Sequence, residues 1–218
     1  MDFQSEEPDD MSHTLLVQWT IVPRIAPRAL IACNRCRTTR AFVPSGKTRL
    51  NANGRRLDAW LIYRCSDCDN TWNRPIFERR HVGDIDPADL CALQNNDEIF
   101  IEKVAFDIDG LRRHAGQVEE FPDVHLRKAI LQPAAGSPIR LEILFDLAVK
   151  TSLRTERLLS AELGLSRSRV ATLADAGRVA AIPPGRNALQ RALKDQMRVV
   201  IDLADEADRN AILTRAGP

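Results

Sequence analysis

Two cysteine pairs carry the clearest chemistry in this sequence, Cys33-Asn34-Arg35-Cys36 and Cys65-Ser66-Asp67-Cys68, with 28 residues between them. Each pair can close a tight turn that aims two thiolates at one point. Two such turns supply the four soft ligands of a tetrahedral zinc ion. That donor set leaves no coordination position open, so the expected metal is structural and not catalytic. Two other chemistries use the same residues. Disulfides need an oxidising compartment, and the N-terminal residues, with Asp2, Glu6, Glu7, Asp9 and Asp10 and no apolar stretch, do not read as a secretory signal. A redox dithiol normally comes as a single pair beside a βαβ pattern, which this sequence lacks. The fifth cysteine, Cys91, falls within a predicted helix and is expected to be a buried thiol.

The elements that would position the pairs are short. Leu15 to Val22 reads as a strand stopped by Pro23, and Ala29 to Ala32 leads into the first pair. Arg40 to Val43 is a second strand, ended by Pro44-Ser45-Gly46. Lys47–Leu50 and Arg56–Arg64 are then joined by Asn51-Ala52-Asn53-Gly54, whose Asn-Gly is a strong hairpin signal. In the second arm Leu57, Ala59, Leu61, Tyr63 and Cys65 share one face, and Asp58, Trp60, Ile62 and Arg64 the other. Thr71 to Arg74 and Ile76-Phe77 complete a small sheet tied by metal at one end. This pattern resembles a four-cysteine zinc ribbon, expected over residues 14–83 after a disordered acidic tail over 1–13.

Residues 84–132 read as a helical acidic connector. Asp86 caps a helix with Pro87 at its first position, running to about Gln94. A second helix is expected around Glu98 to Phe106, and a loop over Gly116 to Pro122. Val124 to Leu131 fits either a strand or a short helix. Pro133 to Pro138 reads as a linker. Beyond it, Ile139 to Leu147 alternates as a strand, Leu153 to Leu163 is helical and stopped by Gly164, and Ser166 caps a further helix that ends at Gly177. Val179–Ile182 and Arg198–Leu203 are brief strands, and residues 204–218 form a C-terminal tail. The fold class is therefore α+β.

A formal net charge of +1 hides a segregation along the chain. Residues 33–80 hold eleven basic and four acidic side chains, residues 81–151 seven and thirteen, and residues 152–203 nine and five. Two basic modules thus flank an acidic middle, the electrostatic footprint of a polyanion partner.

Leu153-Arg154-Thr155-Glu156-Arg157-Leu158-Leu159, Leu163-Gly164-Leu165-Ser166-Arg167-Ser168-Arg169-Val170 and Gly177-Arg178-Val179 closely resemble the S4 RNA-binding domain over about fifty residues up to Leu203, within a module expected over residues 139–203. The resemblance implies two short helices and a small sheet whose basic helix face lies on structured RNA. It places Arg154, Arg157, Ser166, Arg167, Arg169 and Arg178 at phosphate-facing positions. Two departures stand out: Pro183-Pro184 replaces the usual Asn-Gly turn, and Gln196-Met197 the usual Gly-Asp. Similar helix pairs with Gly-Leu-Ser turns also occur in DNA-binding domains, where the second helix enters the major groove. Two amphipathic helices with a solvated arginine face have the same pattern. The chain after Met11 also resembles a bacterial family catalogued as a domain of unknown function, which implies no activity.

Arg56-Leu57-Asp58 repeats the Arg-Leu-Asp core of pseudouridine synthases, but Trp60-Leu61-Ile62 replaces the Thr-x-Gly that should follow. No HExxH, P-loop, GxGxxG or GxSxG occurs in the sequence. The expectation is a cytoplasmic, non-enzymatic zinc protein without a membrane span. It would bind structured RNA, ribosomal or transfer RNA, through the arginine-rich helix pair. The competing readings are a protein-interaction adaptor anchored by Trp60 or Trp72 and a DNA-binding regulator.

Overall fold

The computed structural model describes residues 13–218. Apart from His13, the acidic tail expected over 1–13 lies outside the described residues. The first strands are β1 (Thr14–Pro23), β2 (Arg28–Cys33), β3 (Thr38–Asn53), β4 (Arg56–Cys65) and β5 (Thr71–His81). Three helices follow, α1 (Pro87–Asn95), α2 (Glu98–Ala105) and α3 (Ile108–His114), then β6 (Gln117–Glu119), β7 (Val124–Gln132) and β8 (Arg140–Leu147). The chain ends with α4 (Thr155–Leu163), α5 (Arg167–Asp175), β9 (Val179–Ile182), β10 (Arg198–Asp202) and α6 (Arg209–Ala216). These elements make an α+β protein of two compact units. A central unit spans Pro23–Asp123, and a flanking unit combines the described residues before it with Val124–Pro218.

The central unit is a five-stranded sheet in the order β5-β4-β3-β2-β6, antiparallel at every pair. The Asn53-Gly54 hairpin forms as the sequence predicts, with Gly54 at φ 60°. Pro44-Ser45-Gly46 does not end the strand. The register shifts between Pro44 and Thr48, so the extra residues bulge out, Gly46 takes φ 72°, and β3 resumes on the far side. The alternation expected in β4 holds: Ala59, Leu61, Tyr63 and Cys65 are buried on one face, with Phe42 beside them.

The acidic helices are the cover of that face and not a connector. Ile101, Ala105 and Leu111 complete the core around Leu61 and Tyr63. Part of their acidity is capping, since Asp86, Asp97 and Asp107 each accept a hydrogen bond from an amide of the first turn. Two local expectations fail. The segment 116–122, expected as a loop, contributes β6, because Val118 pairs with Ala29 at the sheet edge. Cys91 is exposed, since α1 turns Leu93 inward instead.

Arg74 is the largest polar side chain inside this unit, 1% exposed. Its guanidinium donates to the Val104 carbonyl (2.6 Å), the Tyr63 hydroxyl (3.3 Å), the Asp107 carbonyl (2.9 Å) and the Asp107 carboxylate (3.0 Å). One cation therefore satisfies the C-terminal end of α2 and the N-cap of α3. Gly110 permits the close approach, because a Cβ there would lie 1.8 Å from Asp107 Oδ2 and 2.5 Å from Arg74 Nη2.

The flanking unit has the strand order β7-β1-β8-β10-β9, with β1 parallel to β8 from Thr14↔Arg140 to Ile21↔Leu147. β1 was expected beside the cysteine sheet. It pairs with β8 because the alternating Val17, Trp19 and Ile21 are completed by Leu141, Ile143 and Phe145. Val124–Gln132 resolves as strand, and the segment 133–138, expected as a linker, joins β7 and β8 within one sheet. The helix pair forms as expected, with Gly164 left-handed after α4 and Ser166 capping α5 through the Arg169 amide (3.1 Å). Its strands β8, β10 and β9 are neighbours in this five-stranded sheet, which β1 and β7 extend. The expected C-terminal tail carries α6, whose Ile212 and Ala216 are buried and whose Ala216 carbonyl accepts from Trp19 Nε1 at 2.9 Å.

Candidate functional site

Both cysteine turns are built alike. In the first, the Arg37 amide donates to the Cys33 carbonyl (2.7 Å), and in the second the Asp69 amide donates to the Cys65 carbonyl (3.1 Å). Arg37 and Asp69, each directly after its second cysteine, both sit at φ 58°. The strands bring the turns together, since Cys65 pairs with Phe42 on β3 while Cys33 ends the neighbouring β2. Arg35 donates to the Cys68 carbonyl (3.1 Å) and Arg40 pairs with Asp67 (2.6 Å), so two arginines tie one turn to the other.

The four sulfurs lie within 4.8 Å of one another, close enough to bind one metal ion. Cys33 and Cys68 are 3.6 Å apart and Cys36 and Cys65 4.0 Å. A disulfide would require about 2.05 Å, so all four are free thiols. Ligands at ~2.3 Å around a tetrahedral zinc would stand ~3.8 Å apart, which these spacings match. The Cys36 backbone amide holds the Cys33 thiol down to about 6 against desolvation. Hydrogen bonding to Cys68, reinforced by desolvation, pushes Cys36 up to about 12. The Cys36 proton is therefore one that a bound cation would have to displace.

Charge is segregated by position within the central unit. Its strand part, residues 23–83, holds thirteen basic and four acidic side chains, while residues 84–123 hold three and eleven. Because the acidic helices cover one face of the sheet, the basic excess lies on the strands and their tips. At the end of the sheet away from the cysteines, Arg56 pairs in register with His81 and Leu57 with Arg80. Arg55, Arg56, Arg79, Arg80 and His81 are all exposed there. Among the described residues, none of these four arginines has a carboxylate within ion-pair distance. The nearby Asp58, of the Arg-Leu-Asp tripeptide, instead accepts from the Arg79 amide at 2.6 Å. That is a structural role at a strand irregularity. The sequence shows His81 directly after Arg79-Arg80, a run that could meet phosphate, but only the register brings residues 55–56 beside 79–81.

The arginines of the helix pair are differently placed. Arg169 contacts both carboxylate oxygens of Glu206 (2.7 and 2.9 Å), and Arg178 reaches the same carboxylate at 2.9 Å. Glu206 is nearly buried beneath them, its side chain 5% exposed. Arg167 lies 3.6 Å from Glu156, and Ser166 is engaged in its capping bond. Arg154 and Arg157 are exposed, with Arg154 bridged through its backbone to Ala192. Three of the six residues therefore already have acidic partners. Of the two proposed anchors, Trp72 packs edge-on against Tyr63 (5.4 Å) in the core, and Trp60 stays outside it.

Among the described residues, no helix is long and apolar enough to cross a membrane. No curated protein and no solved structure matches the chain. Residues 50–183 match the model of the family described as "Protein of unknown function (DUF1062)", more than half of the sequence, and the chain belongs to that family.

Proposed function

We propose that this protein binds RNA through the strand surface of its central unit, with zinc at Cys33, Cys36, Cys65 and Cys68 holding that surface in shape. The observation that carries the reading is the cluster of Arg55, Arg56, Arg79 and Arg80, exposed together and without carboxylate partners. Exposed guanidinium groups on neighbouring strands give up little hydration and no ion pair when they meet phosphate, and they contact it in a fork geometry. Arg169 and Arg178 would first have to leave Glu206, a nearly buried carboxylate that cannot readily be left unpaired. The phosphate contacts are therefore assigned to the strand tips in preference to the helix pair.

Zinc follows from the donor set. Four thiols at tetrahedral spacing in a closed shell suit a soft, redox-inert cation and leave no site for substrate. The metal's part is structural: it fixes the ends of β2, β3 and β4, from which the outer face extends. A titration of zinc-loaded protein against labelled RNA at low and high salt tests the reading. Binding that weakens steeply with salt supports it, and the absence of RNA binding at low salt overturns it.

A further inference from the structure

The face of the central sheet opposite the helices carries an apolar strip that belongs to neither core. Val43, Trp60 and Ile62 are partly exposed, and none of them is among the buried residues or the side chains packed against those cores. Directly opposed residues of antiparallel strands share a face, so the register defines its rows. Arg49, Trp60 and Pro75 form one row, Ile62 and Asn73 the next, and Val43, Arg64 and Thr71 the third. Arg49 and Arg64 are exposed and, among the described residues, without an ion-pair partner. The strip therefore has one flat aromatic ring with a guanidinium directly across from it and a second guanidinium two rows away. It runs along β4 toward the arginine cluster at the tip, past Asp58, whose carboxylate is engaged by the Arg79 amide.

We infer that this strip is a binding platform for single-stranded RNA, with Trp60 as the base-stacking side chain and Arg49 and Arg64 on the flanking phosphates. The inference rests on the RNA-binding reading above and names the form of the ligand. Charge complementarity selects the occupant. An apolar protein surface would leave Arg49 and Arg64 without counter-charges, whereas a single strand offers a π-face and a phosphate at each nucleotide. A duplex fits poorly, because its bases are stacked inward and an A-form helix meets a protein through groove shape and backbone. From Arg56 to Arg64 the strand extends roughly 26 Å at ~3.3 Å per residue. That length accommodates about four nucleotides, the lower end of the site sizes of single-strand-binding folds.

The test uses the full chain loaded with zinc, a decameric oligouridylate, and an RNA hairpin with a fully paired stem of ten base pairs. The expected result is tighter binding of the single strand. Trp60→Ala should lower its affinity roughly 5- to 100-fold, the span found for loss of one base-stacking aromatic, while Trp60→Phe retains most of it. Because Trp60→Ala can disturb the sheet, ultraviolet crosslinking of the unaltered protein to the oligouridylate is read in parallel. Crosslinks should map to peptides containing residues 49, 60 or 62. Salt-dependent RNA binding that prefers the hairpin, ignores Trp60→Ala or crosslinks elsewhere overturns this inference and leaves the electrostatic reading intact. No binding to either RNA overturns both.

Discussion

Removing the buried guanidinium of Arg74 should release the helices from the central sheet. Arg74→Ala deletes four hydrogen bonds, to Val104, Tyr63 and twice to Asp107. Hydrogen bonds to charged groups contribute about 1.5–3 kcal/mol each, but that sum overstates the loss. The Asp107 side chain is 46% exposed, so its carboxylate regains water and the ion pair adds little. The cost of desolvating the guanidinium is also recovered. Loss of one member of a buried pair costs about 3–5 kcal/mol, and with the remaining charge half-solvated the lower end, about 3 kcal/mol, applies. Native-state hydrogen exchange of the β4 amides measures this locally, and 3 kcal/mol corresponds to about 140-fold faster exchange through global opening of the unit. Asp107→Ala removes the cap of α3 and leaves the Arg74 guanidinium buried without a carboxylate, so it should cost at least as much, about 3–5 kcal/mol. Acceleration by Arg74→Ala of less than about fivefold would refute the assignment of Arg74 as the clamp.

Three further outcomes follow from named contacts. Native mass spectrometry should find one zinc per chain, lost in Cys33→Ser, and chelation should lower the melting temperature of the central unit; an unchanged melting curve after chelation contradicts a structural metal. Ile212→Ala should destabilise the flanking unit by about 2–5 kcal/mol, since Ile212 is 1% exposed. A change within about 0.5 kcal/mol, the range of a surface substitution, would return residues 204–218 to the status of a tail. Burial raises the Tyr63 phenol above its ordinary value, with Arg74 opposing the shift. A group whose folded pKa is raised contributes stability that is present below the unfolded value, about 10, and lost as pH climbs through the folded one. The urea midpoint followed by near-ultraviolet circular dichroism should fall above about pH 10, and Tyr63→Phe should remove that part of the fall.

Much of the local structure was legible because its signals are local. Asp86-Pro87, Gly164, Ser166 and Asn53-Gly54 each act within a turn, and each forms as its chemistry dictates. The cysteine spacing likewise announced its own cluster. What sequence concealed depends on distant partners. The parallel pairing of β1 with β8 joins residues more than a hundred positions apart, so Trp19 reads as part of the cysteine region until its core is seen. The acidity of residues 84–132 suggested a helical connector, whereas three of its aspartates are caps and apolar residues of its helices cover the sheet. The arginine-rich helix pair looked like a phosphate site because Glu206, which neutralises Arg169 and Arg178, lies 28 to 37 residues further along the chain.

The central claim is that RNA phosphates meet the arginines at the tips of β3, β4 and β5. The most direct measurement compares the salt dependence of single-stranded RNA binding by the unaltered protein and by Arg55→Ala/Arg56→Ala/Arg79→Ala/Arg80→Ala, between about 50 and 200 mM salt. All four side chains are exposed, so the variant should fold. Each lost contact to a single strand reduces the slope of log affinity against log salt by about 0.7, so the account predicts a slope shallower by roughly three and weaker binding at low salt. Equal slopes and equal affinities for the two proteins would contradict it.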